Sequence, residues 1–446
     1  MMKLRSIALA AAALASAPLA FAAPAVNINA PETVKVYMSG ASALRAVVAG
    51  VVLNDVCGGT ANATTTQYNV EEASGAFSFD GNLWAITCRV TAAGGALVGL
   101  PDKTPIAFFK SDAGGSAQGV FPVQAAAARP FVDAAALNLC TTKTADRVYR
   151  SCAGTRDEVP MFGISDVEPG LFTGMNVPAD AGDLADDNYP SDGLSASQLG
   201  ELTIKPVVQT IFGVAVNTAL YKDMFAKQGL ANRKDFAGAA CTVDSSNEPC
   251  VPSIGLGEAR SMFVGNEANW RLLSANAAKV DTQVNICRRV AGSGTQAAAN
   301  VHLMGFPCNS SPLSPATWNV SNSNSPAPIS SATSKTVADQ DPKGVARTIA
   351  QYLADNMAGV PAGKTFVFEG PGTGDVVSCL NAAESAGGYA IGHVSRENVP
   401  GSNNWKHVRL EGTFPTRDAA KAGQYDYVYE STVQWKNDYV ATLSAN

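Results

Sequence analysis

Histidine is scarce in this chain, with three in 446 residues, at 302, 393 and 407. With no CxxC and no HExxH, a zinc ribbon or zinc protease has nothing to build on. A Ser-His-Asp triad has few bases to draw on, and no GxSxG elbow occurs. Gly370-Pro371-Gly372-Thr373-Gly374 lacks the following Lys-Ser/Thr pair and is not a P-loop. Charge is also short: 16% of residues, 32 basic against 38 acidic, for a formal charge of −6. That balance offers no basic face, so neither nucleic acid nor an anionic membrane is expected as a partner. Beyond residue 22 no run reaches the roughly 18 apolar residues of a membrane span. Gly (40) and Pro (24) stay near ordinary usage, which excludes a collagenous or disordered chain. No enzyme activity, cofactor or metal is expected.

What is present begins with an address. Lys3 and Arg5, the apolar run from Ile7 to Ala15 and Ala20-Phe21-Ala22 read as a signal peptide over residues 1–22, cleaved after Ala22. Its removal leaves 30 basic and 38 acidic residues, a formal charge of −8, in a periplasmic or secreted protein. Nine cysteines, at 57, 88, 140, 152, 241, 250, 287, 308 and 379, suit an oxidising compartment. Pairing neighbours gives 57–88, 140–152, 241–250 and 287–308 with Cys379 left over, one of the roughly 105 connectivities that eight cysteines allow.

The length suggests two or three domains. Val34 to Met38, Thr104 to Phe109, Pro160 to Ser165, Pro206 to Val216, Val284 to Val290, Lys364 to Phe368 and Tyr389 to Val394 read as strands. Leu44, Val47, Val48, Val51 and Val52 form a helical stripe, and residues 58–104 read as irregular strands and loops. Residues 309–335 are a Ser/Pro/Asn-rich exposed insertion. Repeated strand-turn-helix units predict an α/β protein with mostly parallel sheets. The aspartates at 180, 183, 186, 187 and 192 lack EF-hand spacing and read as a solvated loop. Trp270, Trp405 and Trp435 read as packing residues.

Three strand-to-helix turns are rich in Gly and Ser: Ser39 to Ala43, Ser111 to Ser116 and Gly292 to Thr295. Such turns present unpaired N–H groups to an anion, although as ordinary helix caps they do the same for a side chain. Arg289 stands just before the third.

These residues resemble the phosphate-binding proteins of ABC importers. Ser39-Gly40-Ala41-Ser42-Ala43 is similar to that family's Thr-Gly-Ala-Gly-Ala opening, and Phe162-Gly163-Ile164-Ser165-Asp166 to its Gly-Ala-Ser-Asp element. Arg288-Arg289-Val290-Ala291-Gly292-Ser293-Gly294-Thr295 resembles Arg-x-Asp-Gly-Ser-Gly-Thr. Gly370 to Asp375 and Gly388 to Val394 follow in family order, and the islands span residues 34–398. The resemblance implies a type II periplasmic-binding-protein fold of two lobes, each a mostly parallel sheet flanked by helices, with a cleft between them. Lobe one would hold 23–205 and a return at 396–446; lobe two would hold 206–395.

The resemblance further implies a monomer that captures phosphate or a related oxyanion for delivery to an ABC permease. Arg289 would grip the anion; Ser293, Gly294, Thr295, Ser39, Gly40, Ala41, Ser42 and Ser111 would donate to it, with Ser116, Ser165 and Arg45 as further candidates. Asp166 would accept a hydrogen from it. Other readings stand beside these: Arg289 as a lobe-bridging ion pair, Asp166 as a turn residue before Pro169, and Arg45 on a solvated helix face. Ala291 replaces the family's Asp, which predicts weaker discrimination between phosphate and sulfate. Leu44-Arg45 replaces its Thr-Phe. The rival from another class is an exported surface-interaction protein that keeps the fold but not the ligand.

Overall fold

The computed structural model describes residues 26–70, 82–133, 140–144, 147–152, 154–177, 189–190, 192–267, 269–316, 365–370 and 372–438. The signal at 1–22, the aspartates at 180–187, residues 317–335 of the insertion, Lys364 and Pro371 lie outside the described residues.

Strands in the first part of the chain are β1 (Val34–Gly40), β2 (Thr66–Asn69), β3 (Leu83–Arg89), β4 (Pro105–Ser111), β5 (Arg129–Val132), β6 (Cys140–Thr144), β7 (Val148–Cys152), β8 (Thr155–Glu158) and β9 (Phe162–Ser165). After them come β10 (Leu202–Asn217), β11 (Ser253–Ile254), β12 (Val284–Arg289), β13 (Thr365–Gly370), β14 (Ala390–Ser395), β15 (Trp405–His407), β16 (Arg409–Leu410) and β17 (Val428–Lys436). Among the described residues thirteen strands form one sheet, whose path runs β13-β12-β14-β10-β17-β9-β1-β4-β3-β2-β7-β6, with β15 beside β10.

Two parallel trios anchor this sheet. β1 lies between β4 and β9, and β12 between β13 and β14. The strands β4, β12 and β14 are buried along their whole length, their polar residues such as Lys110, Arg289 and His393 included. Antiparallel strands flank the trios: β3 on β4, β2 on β3, and β17 on β9. The sheet is therefore mixed, with its parallel order concentrated at the two centres.

β10 joins them. Leu202 to Ile211 pairs with β17, and Phe212 to Val216 pairs with β14. The β17 ladder slips between Pro206 and Val208. Proline cannot donate to a ladder, so the irregularity falls where the sequence allows it. Residues 205–209 are exposed, the strand's barest stretch. We call the halves on either side of this ribbon lobe one (β1–β9, β17) and lobe two (β11–β16).

Segment 396–446, read as a return to lobe one, does not go there at once. β15 pairs with residues 215–217 of β10 and β16 with β11, both on the lobe-two side. Only at Val428 does the chain rejoin lobe one, through β17.

The main helices are α1 (Arg45–Gly50), α2 (Ala92–Val98), α3 (Phe121–Ala125), α4 (Thr218–Lys227), α5 (Leu256–Phe263), α6 (Gly294–Ala299) and α7 (Thr373–Ser385). α1 continues as a π-helix to Val56. α2 falls inside the segment read as loops. Its Gly94 and Gly95 hide the helical pattern, yet Thr91 caps it by accepting from Gly94 N at 3.0 Å. A Cβ on Gly94 would stand 2.0 Å from the Val56 carbonyl oxygen, so the glycine allows α2 to touch the end of the π-helix.

One apolar core runs through both lobes. Ala117, Val120, Phe121 and Phe172 of lobe one cluster with Ile286, Leu303, Met304 and Trp270 of lobe two. Disulfides close Cys57–Cys88, Cys140–Cys152, Cys241–Cys250 and Cys287–Cys379. The fourth corrects the neighbour pairing 287–308. Helix α7 packs on β12 and sets Cys379 against Cys287, 92 residues away in sequence, while Cys308 is a free, exposed thiol.

Candidate functional site

Parallel strands deliver their carboxyl ends to one place, as open α/β sheets do at their binding crevices. Ser39 and Gly40 end β1, Ser111 ends β4 and Ser165 ends β9. From lobe two, Arg289 ends β12 and is in register with Gly370 at the end of β13.

Arg289 is the centre of the arrangement. It is 1% exposed, and its Nη1 donates to Thr373 Oγ1 at 3.2 Å. Burial pulls the guanidinium down to about 10, opposed by the negative charges of Asp166 and Asp375. Asp166 is itself 2% exposed. Burial pushes its carboxyl up to about 6 against the pull of Arg289 and a hydrogen bond from Ser116.

Glycines let the lobes touch at this point. Gly115 has φ +74°, and a Cβ there would lie 3.1 Å from Ser293 Cα and 3.6 Å from Arg289 Nη2. A Cβ on Gly294 would lie 2.4 Å from Ser116 Oγ and 2.6 Å from Asp166 Cβ. Ala117 N donates across to the Gly292 carbonyl at 2.9 Å. Ser116 Oγ accepts from Asp166 N at 3.1 Å, and Ser293 caps α6 by accepting from Gln296 N at 3.4 Å.

The structure thus brings Asp166, Ser116, Arg289, Ser293, Gly294 and Thr295 together from two lobes. It uses other predicted residues differently. Ser39 Oγ donates to Gln118 O at 2.6 Å, Ala41 N donates to Ile164 O at 2.9 Å, and Ser165 Oγ donates to Val167 O. Gly40 O accepts from Lys110 Nζ at 2.7 Å, and Ser111 O from the same ammonium at 3.4 Å. Arg45 is partly buried: its Nε donates to Asp112 Oδ2 at 2.7 Å and its Nη2 to Asn82 Oδ1 at 3.3 Å. On other predicted residues, Asp166 Oδ1, Thr295 Oγ1 and Ser42 Oγ are buried with no hydrogen-bond partner among the described residues.

Four contributors escaped the sequence reading. Lys110 closes an apolar strand and is fully buried, with Asp112 as its ion-pair partner. Thr373 and Asp375 begin α7, and Asp375 Oδ2 accepts from Gly372 N at 2.7 Å. An acid in the first turn after a Gly-rich loop is the signal that marks this cap. Among the described residues no group of three or more His, Cys, Asp or Glu is placed to hold a metal, and no helix is long and apolar enough to cross a membrane. An apolar surface cavity of about 170 Å³, lined by Val123, Ala126, Met161 and Lys436, lies apart from these groups.

No family model and no curated sequence matches the chain. Solved structures with a similar chain path include a Clostridium perfringens protein assigned as the substrate-binding protein of a phosphate ABC transporter, with phosphate bound. It is 12% identical, with 91% of this chain and 87% of that one covered and a TM-score of 0.40. A phosphate-binding protein from Stenotrophomonas maltophilia is 13% identical over 91% and 78% of the two chains, with a TM-score of 0.36. An ABC-type phosphate transport receptor from Vibrio cholerae is 13% identical over 64% and 74%, with a TM-score of 0.30.

Proposed function

We propose that this protein captures a small oxyanion, phosphate or a relative, between its lobes. In this reading it is a monomeric binding protein exported on residues 1–22, and it passes its ligand to an ABC permease. The observation that carries the reading is the pair of unsatisfied atoms close to Arg289, Asp166 Oδ1 and Thr295 Oγ1. A buried polar group without a partner costs about 1–3 kcal/mol, so native structures rarely keep several in one place. Asp166 Oδ1, Thr295 Oγ1 and Ser42 Oγ are three such atoms on residues selected from the sequence as anion contacts.

Each has a chemical use. The planar guanidinium of Arg289, steadied by Thr373, matches two oxygens of a tetrahedral anion. The hydroxyls of Thr295 and Ser42 donate to others. Asp166 accepts a hydrogen that phosphate carries near neutral pH and sulfate does not. Selectivity therefore rests on Asp166, whose partner position in the family sequence is taken here by Ala291.

Calorimetric titration of the native protein with phosphate and with sulfate tests the reading. Phosphate is expected to bind at least tenfold more tightly, and Asp166→Asn to narrow the gap. Failure of both anions to bind would overturn it.

A further inference from the structure

The turn that begins α6 is held from the other lobe at both ends of one residue. Gly292 N donates to Asn176 O at 3.0 Å, and Gly292 O accepts from Ala117 N at 2.9 Å. Asn176 lies in lobe one, between β9 and β10, and is 1% exposed. Its side chain continues the grip. Asn176 Oδ1 accepts from Asn300 Nδ2 at 2.7 Å, and Asn176 Nδ2 donates to Leu171 O at 2.8 Å. Behind Asn300 the chain of bonds goes on into lobe two: Gln296 Nε2 donates to Asn300 Oδ1 at 2.9 Å, and Gln296 Oε1 meets His393 Nε2 at 3.2 Å. All four side chains are buried.

We infer that Asn176 is a positioning residue for the anion site, a latch that engages α6 only when the lobes are closed. The inference rests on the proposed capture of an oxyanion. The physical reason is local. Arg289, Ser293, Gly294 and Thr295 all flank Gly292 within four residues, so whatever fixes Gly292 fixes the donors. A buried amide pair rewards exact alignment and penalises separation, since each partner left alone in the interior stays unsatisfied. Asn176 touches no predicted ligand contact through its side chain, so it acts through the turn. Anion binding and lobe closure then share one free energy, and the bond from Asn300 to Asn176 slows release.

Two variants separate the bond from mere packing. Asn300→Asp keeps the acceptor for Gln296 but loses the donor to Asn176; Asn300→Leu loses both. With inorganic phosphate as probe, each is expected to raise Kd about ten- to thirtyfold, mainly through faster dissociation, with little change in association rate. Combining either with Asn176→Leu is expected to add less than threefold, because the two residues act on one bond. A change below twofold in folded Asn300→Asp, or effects that multiply independently, would overturn the latch. If the native protein bound no phosphate, the capture reading would fail instead, and small-angle scattering would then decide the latch alone. A larger radius of gyration in Asn300→Asp than in the native protein supports it, and equal radii overturn it.

Discussion

Asp112 and Asp166 are the same side chain in nearly the same setting. Both lie just past the carboxyl end of a parallel strand of lobe one, and both are 2% exposed. Asp112 is complete: Oδ1 accepts from Lys110, and Oδ2 from Arg45 Nε at 2.7 Å and Trp84 Nε1 at 2.9 Å. Asp166 is not, for its Oδ1 has no partner and its carboxyl is raised to about 6. A buried charge that the fold satisfies belongs to the architecture. One that the fold leaves open is, in the proposed function, where a ligand's hydrogen would fit. The contrast also gives Arg45 a structural partner, as one of two cations against Asp112.

The largest effect should come from breaking the complete group. Lys110→Met leaves Asp112 Oδ1 without its ion-pair partner in the interior, although Oδ2 keeps Arg45 and Trp84, and is expected to cost about 3–5 kcal/mol of stability, read from urea unfolding. A loss below about 1 kcal/mol would place Asp112 in the same class as Asp166 and dissolve the comparison. Next, Arg289→Ala is expected to weaken phosphate binding by about 2–5 kcal/mol in calorimetry, with Arg289→Lys recovering only part because an ammonium lacks the two-oxygen fork. Equal affinity in native protein and Arg289→Ala would remove this residue from the site.

Asp166 itself is tested by pH. Its folded carboxyl is raised to about 6 from an unfolded value near 4, so its contribution to stability is full below about pH 4 and is lost as pH rises through 6. By the usual conversion the loss reaches about 2–3 kcal/mol. Melting curves of native protein and Asp166→Asn should therefore diverge between pH 4 and 7 in favour of the variant, whatever their constant offset. Parallel curves would show an ordinary carboxylate.

The smallest effects concern the supports. Both groups stand near a strand tied by a buried disulfide, Cys57–Cys88 to β3 and Cys287–Cys379 to β12. Reduction should lower the melting temperature by several degrees. A maleimide on native protein should find one thiol, Cys308, and Cys308→Ser should change stability by no more than about 0.5 kcal/mol. Labelling at Cys379 instead would restore the neighbour pairing.

The sequence carried the strands of both trios plainly, because each holds a short stretch rich in apolar or β-branched residues. It carried β2, β3 and α2 poorly, since Thr and Gly blur both periods there. Of the proposed site, Asp166, Arg289 and the Ser293–Thr295 turn could be singled out as candidates because they lie in short motifs. Lys110, Asp112 and Thr373 were not. Their meaning depends on which strand ends meet, and that is decided by β10 and the lobe contact rather than by neighbours in the chain. Cys379 was misplaced for the same reason: its partner is 92 residues away and adjacent only after α7 packs on β12.

β10 also sets a clock. Its first half, Leu202 to Ile211, has its ladder in β17, so that Leu202 waits for Lys436. In a chain emerging amino end first, the strand shared by both lobes stays unzipped until β17 has been made. Contacts this distant pay their loop-closure entropy late and slow the final step of folding. Until then residues 202–211 are an unpaired edge, which makes this strand the place where a premature encounter with another chain would do the most harm.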